Sequence, residues 1–309
     1  MYYMEGLSQN EIAARLFISR SRVSRMLQEA RNIGLVEIKV HFVTERCPQL
    51  ESALRQAYGL KDIRVYNDVG HNLTETFEMV CSAAGEYLQT HLRPNSIVGI
   101  TRGAVLAEVI KALKAQEPMN LKCVQVMGQE ADPDPEVAAP DLIRKIISKF
   151  GGQAYYLNTP IYVNNEHLKR ALLAESCIRE TIELAEKADI IVLGVGMLSA
   201  ATRSSAVWRD FVQDSVFDQL ESLGGVGYIL GRVFDKEGRL LDHPLNQRIV
   251  GLEPEALRNI PRAIGVVSGV ERSRAAEAAL SGKYFNILIT DRGCAEQIMK
   301  IYLDRQESK

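Results

Sequence analysis

Between residues 63 and 303 short apolar runs alternate with segments of helical period, and few architectures satisfy that order. Strand candidates are Ile63–Tyr66, Ile97–Thr101, Cys123–Met127, Ala154–Leu157, Ile190–Val195, Val226–Phe234, Ala263–Val267 and Ile287–Thr290. Helices are expected over Phe77–Leu92, Val105–Ala115, Leu142–Phe150, Leu168–Lys187, Val207–Leu223, Arg274–Leu280 and Ala295–Leu303. This alternation predicts an α/β fold, a mostly parallel, Rossmann-like sheet covered by helices. Such sheets bind ligands beyond the carboxyl ends of their strands. Asp132-Pro133-Asp134-Pro135 is the clearest loop.

Glycine turns sit just past three of the strand ends: Arg102-Gly103, Gly128, and Gly194-Val195-Gly196. Glycine lets a backbone approach a ligand closely, and the N-terminus of a following helix favours an anionic group. Glycine at a strand–helix turn is also ordinary geometry, so each turn alone is weak. Three in corresponding positions point to a shared site.

A chain of 309 residues is long for one core, and two domains are expected. Hydrophobic residues at 46% and charged residues at 25% are ordinary for a soluble protein. The longest strongly apolar run, Ile190 to Leu198, is too short to span a bilayer, and the opening MYYMEGLSQNE is not a signal peptide. Cys47, Cys81, Cys123, Cys177 and Cys294 form no C-x-x-C pair, and the histidines lack metal-ligand spacing. A cytoplasmic protein with reduced thiols, no metal and no cofactor is expected.

The net charge of −2 hides an asymmetry. Residues 1 to 41 carry six Lys/Arg against four Asp/Glu, and four arginines but one glutamate lie between Ser19 and Arg31. A basic segment on an otherwise acidic chain suggests contact with a polyanion, although a solvated helix face gives the same count. Pattern separates the two. Ser8-Gln9-Asn10-Glu11 forms a capping box, and Ile12, Ala13 and Leu16 give the helix behind it an apolar face that ends near Phe17. Ser19 is a second N-cap. Val23, Met26, Leu27 and Ala30 then fall at i, i+3, i+4 and i+7, and Gly34 supplies the stop. Two short helices joined by a turn of about three residues have the shape of a helix-turn-helix.

The side of the second helix opposite the stripe carries Ser21, Arg25 and Gln28, flanked by Arg22 and Ser24. Arginine and glutamine read guanine and adenine edges bidentately, while serines and flanking arginines suit phosphates. The candidate DNA contacts are therefore Ser19, Arg20, Ser21, Arg22, Ser24, Arg25 and Gln28. The alternation Leu35–Val40 suggests a strand or wing after the helix. Helix-turn-helix domains usually use a third helix, and only seven residues precede Ser8, so the natural chain is expected to start upstream of Met1, or this domain to lean on another element.

The stretch GLSQNEIAARLFISRSRVSRMLQEARNIGLVEIKV resembles the N-terminal domain of the SorC/DeoR-type sugar-responsive bacterial transcription regulators. The resemblance continues through Gly227–Asp235 with Gly238 and Asp242, through Ile264–Gly269, and through Arg274–Leu280 and Ile287–Asp291. It implies a helix-turn-helix domain over 1–46, a connector helix over 47–58, and a sugar-sensing, oligomerising domain over 59–309. It further implies a large domain folded like sugar-phosphate isomerases, a tetramer or dimer of dimers, and a sugar or sugar-phosphate effector. Three positions depart from the family pattern. Thr101-Arg102-Gly103-Ala104-Val105 replaces a hydroxyl-rich turn, Gly128-Gln129 stands for a Gly-Gly pair, and Arg272 stands for a lysine. Val105 has no hydroxyl to offer a phosphate. Arg102 and Arg272 either hold an anion through guanidinium forks or are ordinary surface arginines.

The expected function is a DNA-binding regulator of a carbohydrate-utilisation operon. Its partners are double-stranded operator DNA, the effector and further copies of the chain, with no membrane. Thr101, Arg102, Gly103, Gly128, Gly194, Gly196, Asp235, Asp242 and Arg272 are the candidate effector contacts. The alternative is a sugar-phosphate isomerase or deaminase, for which Asp235, Asp242 and His243 are the nearest cluster of acids and bases. A ligand-contact or turn role suits those three better, and no catalytic residue is assigned.

Overall fold

The computed structural model describes residues 1–32, 35, 45–70, 72–115, 117–129, 134–199 and 214–307. The expected wing beyond Leu35, the stop at Gly34, Asp132-Pro133 and residues 207–213 of an expected helix lie outside them. The chain forms two compact units, Met1–Val43 and Thr44–Lys309.

The smaller unit contains α1 (Tyr2–Glu5), α2 (Gln9–Leu16) and α3 (Arg20–Asn32). The capping box forms: the Glu11 N–H donates to the Ser8 hydroxyl at 3.3 Å, and the Ser8 N–H to the Glu11 carboxylate at 2.7 Å. Ser19 accepts from the Arg22 N–H at 3.3 Å, starting α3. Ile12, Ala13 and Val23 are buried, with Tyr2, Leu7, Ile18 and Leu27 packed around them. Leu16 and Met26, expected in the stripes, are 42% and 53% exposed. Two short helices cover only a narrow seam, so the contact runs along Val23 and Leu27 and leaves Met26 beside it.

In the larger unit α4 (Pro48–Tyr58) leads into β1 (Asp62–Tyr66), α5 (Leu73–His91), β2 (Ile97–Ile100), α6 (Ala104–Ala112), β3 (Leu121–Gln125), α7 (Ala139–Phe150) and β4 (Gly152–Tyr155). Then come α8 (Glu166–Ala174), α9 (Ser176–Glu186), β5 (Ile190–Gly194), β6 (Gly196–Met197), α10 (Asp214–Ser222), β7 (Gly225–Ile229) and β8 (Arg232–Asp235). The unit ends with α11 (Pro244–Arg248), β9 (Arg262–Val267), α12 (Ser273–Ser281), β10 (Ile287–Asp291) and α13 (Arg292–Glu307).

Seven strands form one sheet in the order β1-β10-β9-β5-β2-β3-β4, and every pairing in it is parallel. Alternate strand residues serve two cores. Val98, Ile100, Ile190, Val192, Ile264 and Ile289 join one, and Ile63, Val65, Val124, Ile191, Leu193 and Leu288 join the other. Burial on both faces is why the runs look continuously apolar in sequence. The chain moves outward from β2 through β3 to β4, and outward on the other side from β5 through β9 to β10. The order therefore reverses between β2 and β5, where a crevice opens at the strand ends.

Two expectations change, and the connector helix forms as read. The run Val226–Phe234, read as one strand, is a hairpin turned at Leu230-Gly231, with φ of 47° and 75° there. With β6 it makes a separate three-stranded sheet. The helix read over Leu168–Lys187 breaks at Glu175, which is extended and divides α8 from α9. The connector Pro48–Tyr58 is part of the larger unit. Leu54 is fully buried, and the Glu51 carboxylate accepts the Val65 N–H at 2.9 Å and pairs with Arg46 at 2.6 Å. Among the described residues no helix is long and apolar enough to cross a membrane.

Candidate functional site: a cavity at the strand ends

A cavity of about 740 Å³ opens at the reversal between β2 and β5. It is walled by the segments that follow β1, β2, β5, β9 and β10 and by the β7–β8 hairpin. Its size is within the range of small-molecule sites. Thr101, Arg102, Gly103, Gly194, Gly196 and Arg272 line it, whereas Gly128, Asp235 and Asp242 lie outside its lining.

The four glycines differ once their neighbours are known. A Cβ built on Gly103 would meet nothing within 4 Å, and its φ of +113° is one that L side chains rarely adopt. Gly103 caps α6 without a side chain, so the first turn of that helix presents backbone N–H groups and the positive end of its dipole to the cavity. A Cβ built on Gly194 would instead lie 3.3 Å from Cγ2 of Val105. Gly196 is covered by the Tyr228 ring, and a Cβ built on Gly128 would lie 2.5 Å from the Pro160 carbonyl oxygen, against the backbone of Pro160 and Ile161. Gly103 thus borders open space, Gly194 and Gly196 line the cavity with Val105 and Tyr228 against them, and Gly128 packs outside it.

Thr101 is buried, and its hydroxyl donates to the Val192 carbonyl at 3.3 Å, tying β2 to β5 beneath the cavity. Arg272 donates to the Ser268 carbonyl at 3.0 Å and pairs with Glu271 at 2.6 Å, so a ligand would meet it as half of an ion pair. Asp235 is a turn residue. Its carboxylate accepts the N–H groups of Glu237 and Arg239, each at 2.9 Å, and pairs with the Arg239 guanidinium at 3.0 Å. Asp242 accepts from Gln247, and the neighbouring His243 caps α11 by accepting the Leu245 N–H at 3.1 Å.

Cavity residues that sequence reasoning missed include Asp68, Phe77, Tyr228 and Asp291. Asp291 closes β10, and its two oxygens accept the Gly269 N–H at 2.7 Å and the Cys294 N–H at 2.8 Å. Burial, together with Asp291 alongside, pushes the Asp68 carboxyl up against the pull of the Gly293 N–H. Strand-end position was the available signal for both acids, because Asp68 and Asp291 follow or end an expected strand as the glycine turns do.

In the smaller unit Ser19, Arg20, Ser21, Arg22, Ser24, Arg25 and Gln28 are all exposed, while Val23 between them is buried. The Ser19 and Ser21 hydroxyls share a hydrogen bond of 2.9 Å at the start of α3. The polar face and the buried seam are thus separated as helical period requires.

Residues 43–300 match the family model for a sugar-binding domain (Sugar-bind). The chain is 28% identical to the deoxyribonucleoside regulator of Bacillus subtilis over 306 residues, covering 97% of this chain and 95% of that protein. It is 25% identical to the transcriptional regulator LsrR of Escherichia coli over 97% of this chain and 92% of that one. The full-length sorbitol operon regulator SorC of Klebsiella pneumoniae shares the fold, with a TM-score of 0.76 and 22% identity over 96% of this chain and 95% of that chain. The sugar-binding domain of a transcriptional repressor from Vibrio fischeri aligns at 25% identity and a TM-score of 0.74, over 83% of this chain and all of that one. The chain belongs to the sugar-binding domain family of SorC/DeoR-type transcription regulators.

Proposed function

We propose that the chain regulates a carbohydrate-utilisation operon by reading operator DNA with α3 and binding a small polyhydroxylated, anionic effector in the cavity between β2 and β5. One observation carries the effector reading: the uncapped N-terminus of α6, opened by Gly103 and flanked by Arg102, faces the same cavity as Asp68. The helix end and guanidinium suit an anionic group, and the carboxyl suits sugar hydroxyls. In the DNA reading Arg25 and Gln28 contact base edges, while Ser19, Arg20, Ser21, Arg22 and Ser24 contact phosphates.

The effector leaves unchanged. Asp235, Asp242 and His243, the acids and base nearest to a catalytic cluster in sequence, are spent on turn and cap contacts outside the cavity lining. Chemistry would need a base and an acid held against the reacting atoms. The active species is an oligomer with an even number of subunits, a tetramer, because paired readers match two-fold half-sites about one helical turn apart. An effector that prefers one quaternary arrangement shifts operator affinity, and operator shifts effector affinity by the same factor.

A thermal-shift screen with sugars and sugar phosphates, followed by operator binding with each hit, tests this reading. A hit that raises the melting temperature, changes operator affinity and returns intact by NMR supports it. Conversion of the bound sugar replaces it with the enzyme reading.

A further inference from the structure

We propose that Tyr228 sets the shape class of the effector, receiving the C–H face of a cyclic sugar and disfavouring open-chain polyols. The inference rests on the effector reading of the cavity given above. Its starting point is the antiparallel pairing of β6 with β7, which sets Gly196 directly opposite Tyr228. A Cβ built on Gly196 would lie 2.0 Å from Cζ of that tyrosine and 2.3 and 2.4 Å from Cε1 and Cε2. Near-equal distances to Cζ and both its ring neighbours put the glycine over the face of the ring rather than beyond its edge. The ring therefore lies flat on the Gly196 backbone, in a seat that exists because position 196 has no side chain.

Tyr228 is half-buried and lines the cavity, so a ring with one face seated on protein borders the ligand space. Met197 on β6 and Leu230, at the tip of the β7–β8 hairpin, line the same cavity. Asp68, Thr101 and Arg102 supply polar groups elsewhere in the lining. The cavity thus offers a flat apolar platform as well as hydroxyl and anion partners. An aromatic face carries partial negative charge and attracts the positively polarised C–H groups that a sugar ring presents together on one side. An alditol of the same carbon count carries those groups on a flexible chain and loses torsional freedom to flatten against the ring. A seated tyrosine adds little ordering cost of its own, so selection falls on the shape of the ligand.

The test uses matched phosphates: glucose 6-phosphate against glucitol 6-phosphate, and ribose 5-phosphate against ribitol 5-phosphate. Calorimetry gives affinities, and saturation-transfer NMR at millimolar ligand detects weak binding and reports which protons touch protein. In the full-length wild type the cyclic member of at least one pair binds about tenfold tighter than its alditol, with saturation strongest on one C–H face. Tyr228→Phe keeps that preference. Tyr228→Ala removes the platform and Gly196→Ala pushes it off its seat, and in each the preference falls to about twofold or less. Two variants acting on opposite sides of the contact guard against misfolding of either one, checked by melting curves. Equal or tighter binding of the alditols, or a preference that survives Tyr228→Ala, overturns the inference and leaves the effector reading intact. Absence of saturation on all four ligands overturns both.

Discussion

The backbone N–H of Asn67 donates to the carbonyl of Glu45 over 3.0 Å, one residue before Asp68 enters the cavity wall. The Cys47 N–H donates to the Val65 carbonyl at 2.9 Å on the other side of an antiparallel bridge between Arg46 and Tyr66. Residues 45 to 47 therefore form an added edge on β1, and the same edge strand runs on into the cavity.

Glu51 holds this edge in place, since its buried carboxylate takes the Val65 N–H and the Arg46 guanidinium. Glu51→Ala leaves that N–H without a partner and is expected to destabilise the larger unit by about 2 kcal/mol, less than a fully buried pair costs because Arg46 stays partly solvated. Hydrogen exchange should then rise over residues 45–67. Unchanged protection there would show that the edge is held by its backbone bonds alone.

Phe17 occupies the turn between α2 and α3 with φ 54° and ψ 41°, yet its side chain is 96% exposed. A bulky residue in the left-handed region is strained, and here no packing offsets the strain. Phe17→Gly should therefore stabilise the smaller unit by about 1 kcal/mol. Denaturant unfolding of the full chain, followed by a probe in α3, measures it. A loss of stability would mean that the exposed ring is covered in the functional assembly.

Arg25 is exposed on the face of α3 opposite the Val23–Leu27 seam. Arg25→Ala should lower operator affinity by about 1–3 kcal/mol and leave non-operator binding at the same salt nearly unchanged. An equal loss on both DNAs would make it a phosphate contact.

Burial alone would raise the Asp235 carboxyl, but the Arg239 N–H and guanidinium with the Glu237 N–H hold it below the usual carboxylate value. A depressed carboxyl stabilises the fold at neutral pH, and that contribution is lost as pH falls below about 4, through the folded-state value. Asp235→Asn should cost about 1–2 kcal/mol at pH 7 and flatten the acid limb of the stability curve. Effector affinity should not change, because Asp235 is outside the cavity lining. A selective loss of effector binding would return Asp235 to the site.

The parallel sheet was legible because strands buried on both faces read as unbroken apolar runs. The β7–β8 hairpin was not, since its turn is Leu230-Gly231 and carries none of the asparagine or aspartate that usually marks φ above zero. Arg232 gave no warning either. It is 1% exposed, and its two terminal nitrogens donate to the carbonyls of Leu230, Ile249 and Leu252 and to Glu253 while its Nε has no partner, an arrangement that only the tertiary fold assembles. The break at Glu175 lacks glycine and proline and is invisible for the same reason. Gly103 and Gly128 carry the same sequence signal, but Gly103 lines the cavity and borders open space, whereas Gly128 lies outside the lining against the Pro160 backbone. Strand-end position pointed to the end of the sheet where the cavity opens, and packing decided which residues at those ends line it.

In the proposed function an unconsumed ligand links the cavity to operator binding through α3. Operator is titrated at fixed salt with and without a screened sugar phosphate, and that ligand is titrated with and without operator, in the wild type and in Gly103→Ala. The wild type should show the same factor in both directions. Gly103→Ala, which forces a side chain into a φ of +113° at the α6 N-terminus, should weaken ligand binding at least about tenfold while ligand-free operator affinity persists. A ligand that binds in the cavity and leaves operator affinity unchanged would overturn the proposed linkage.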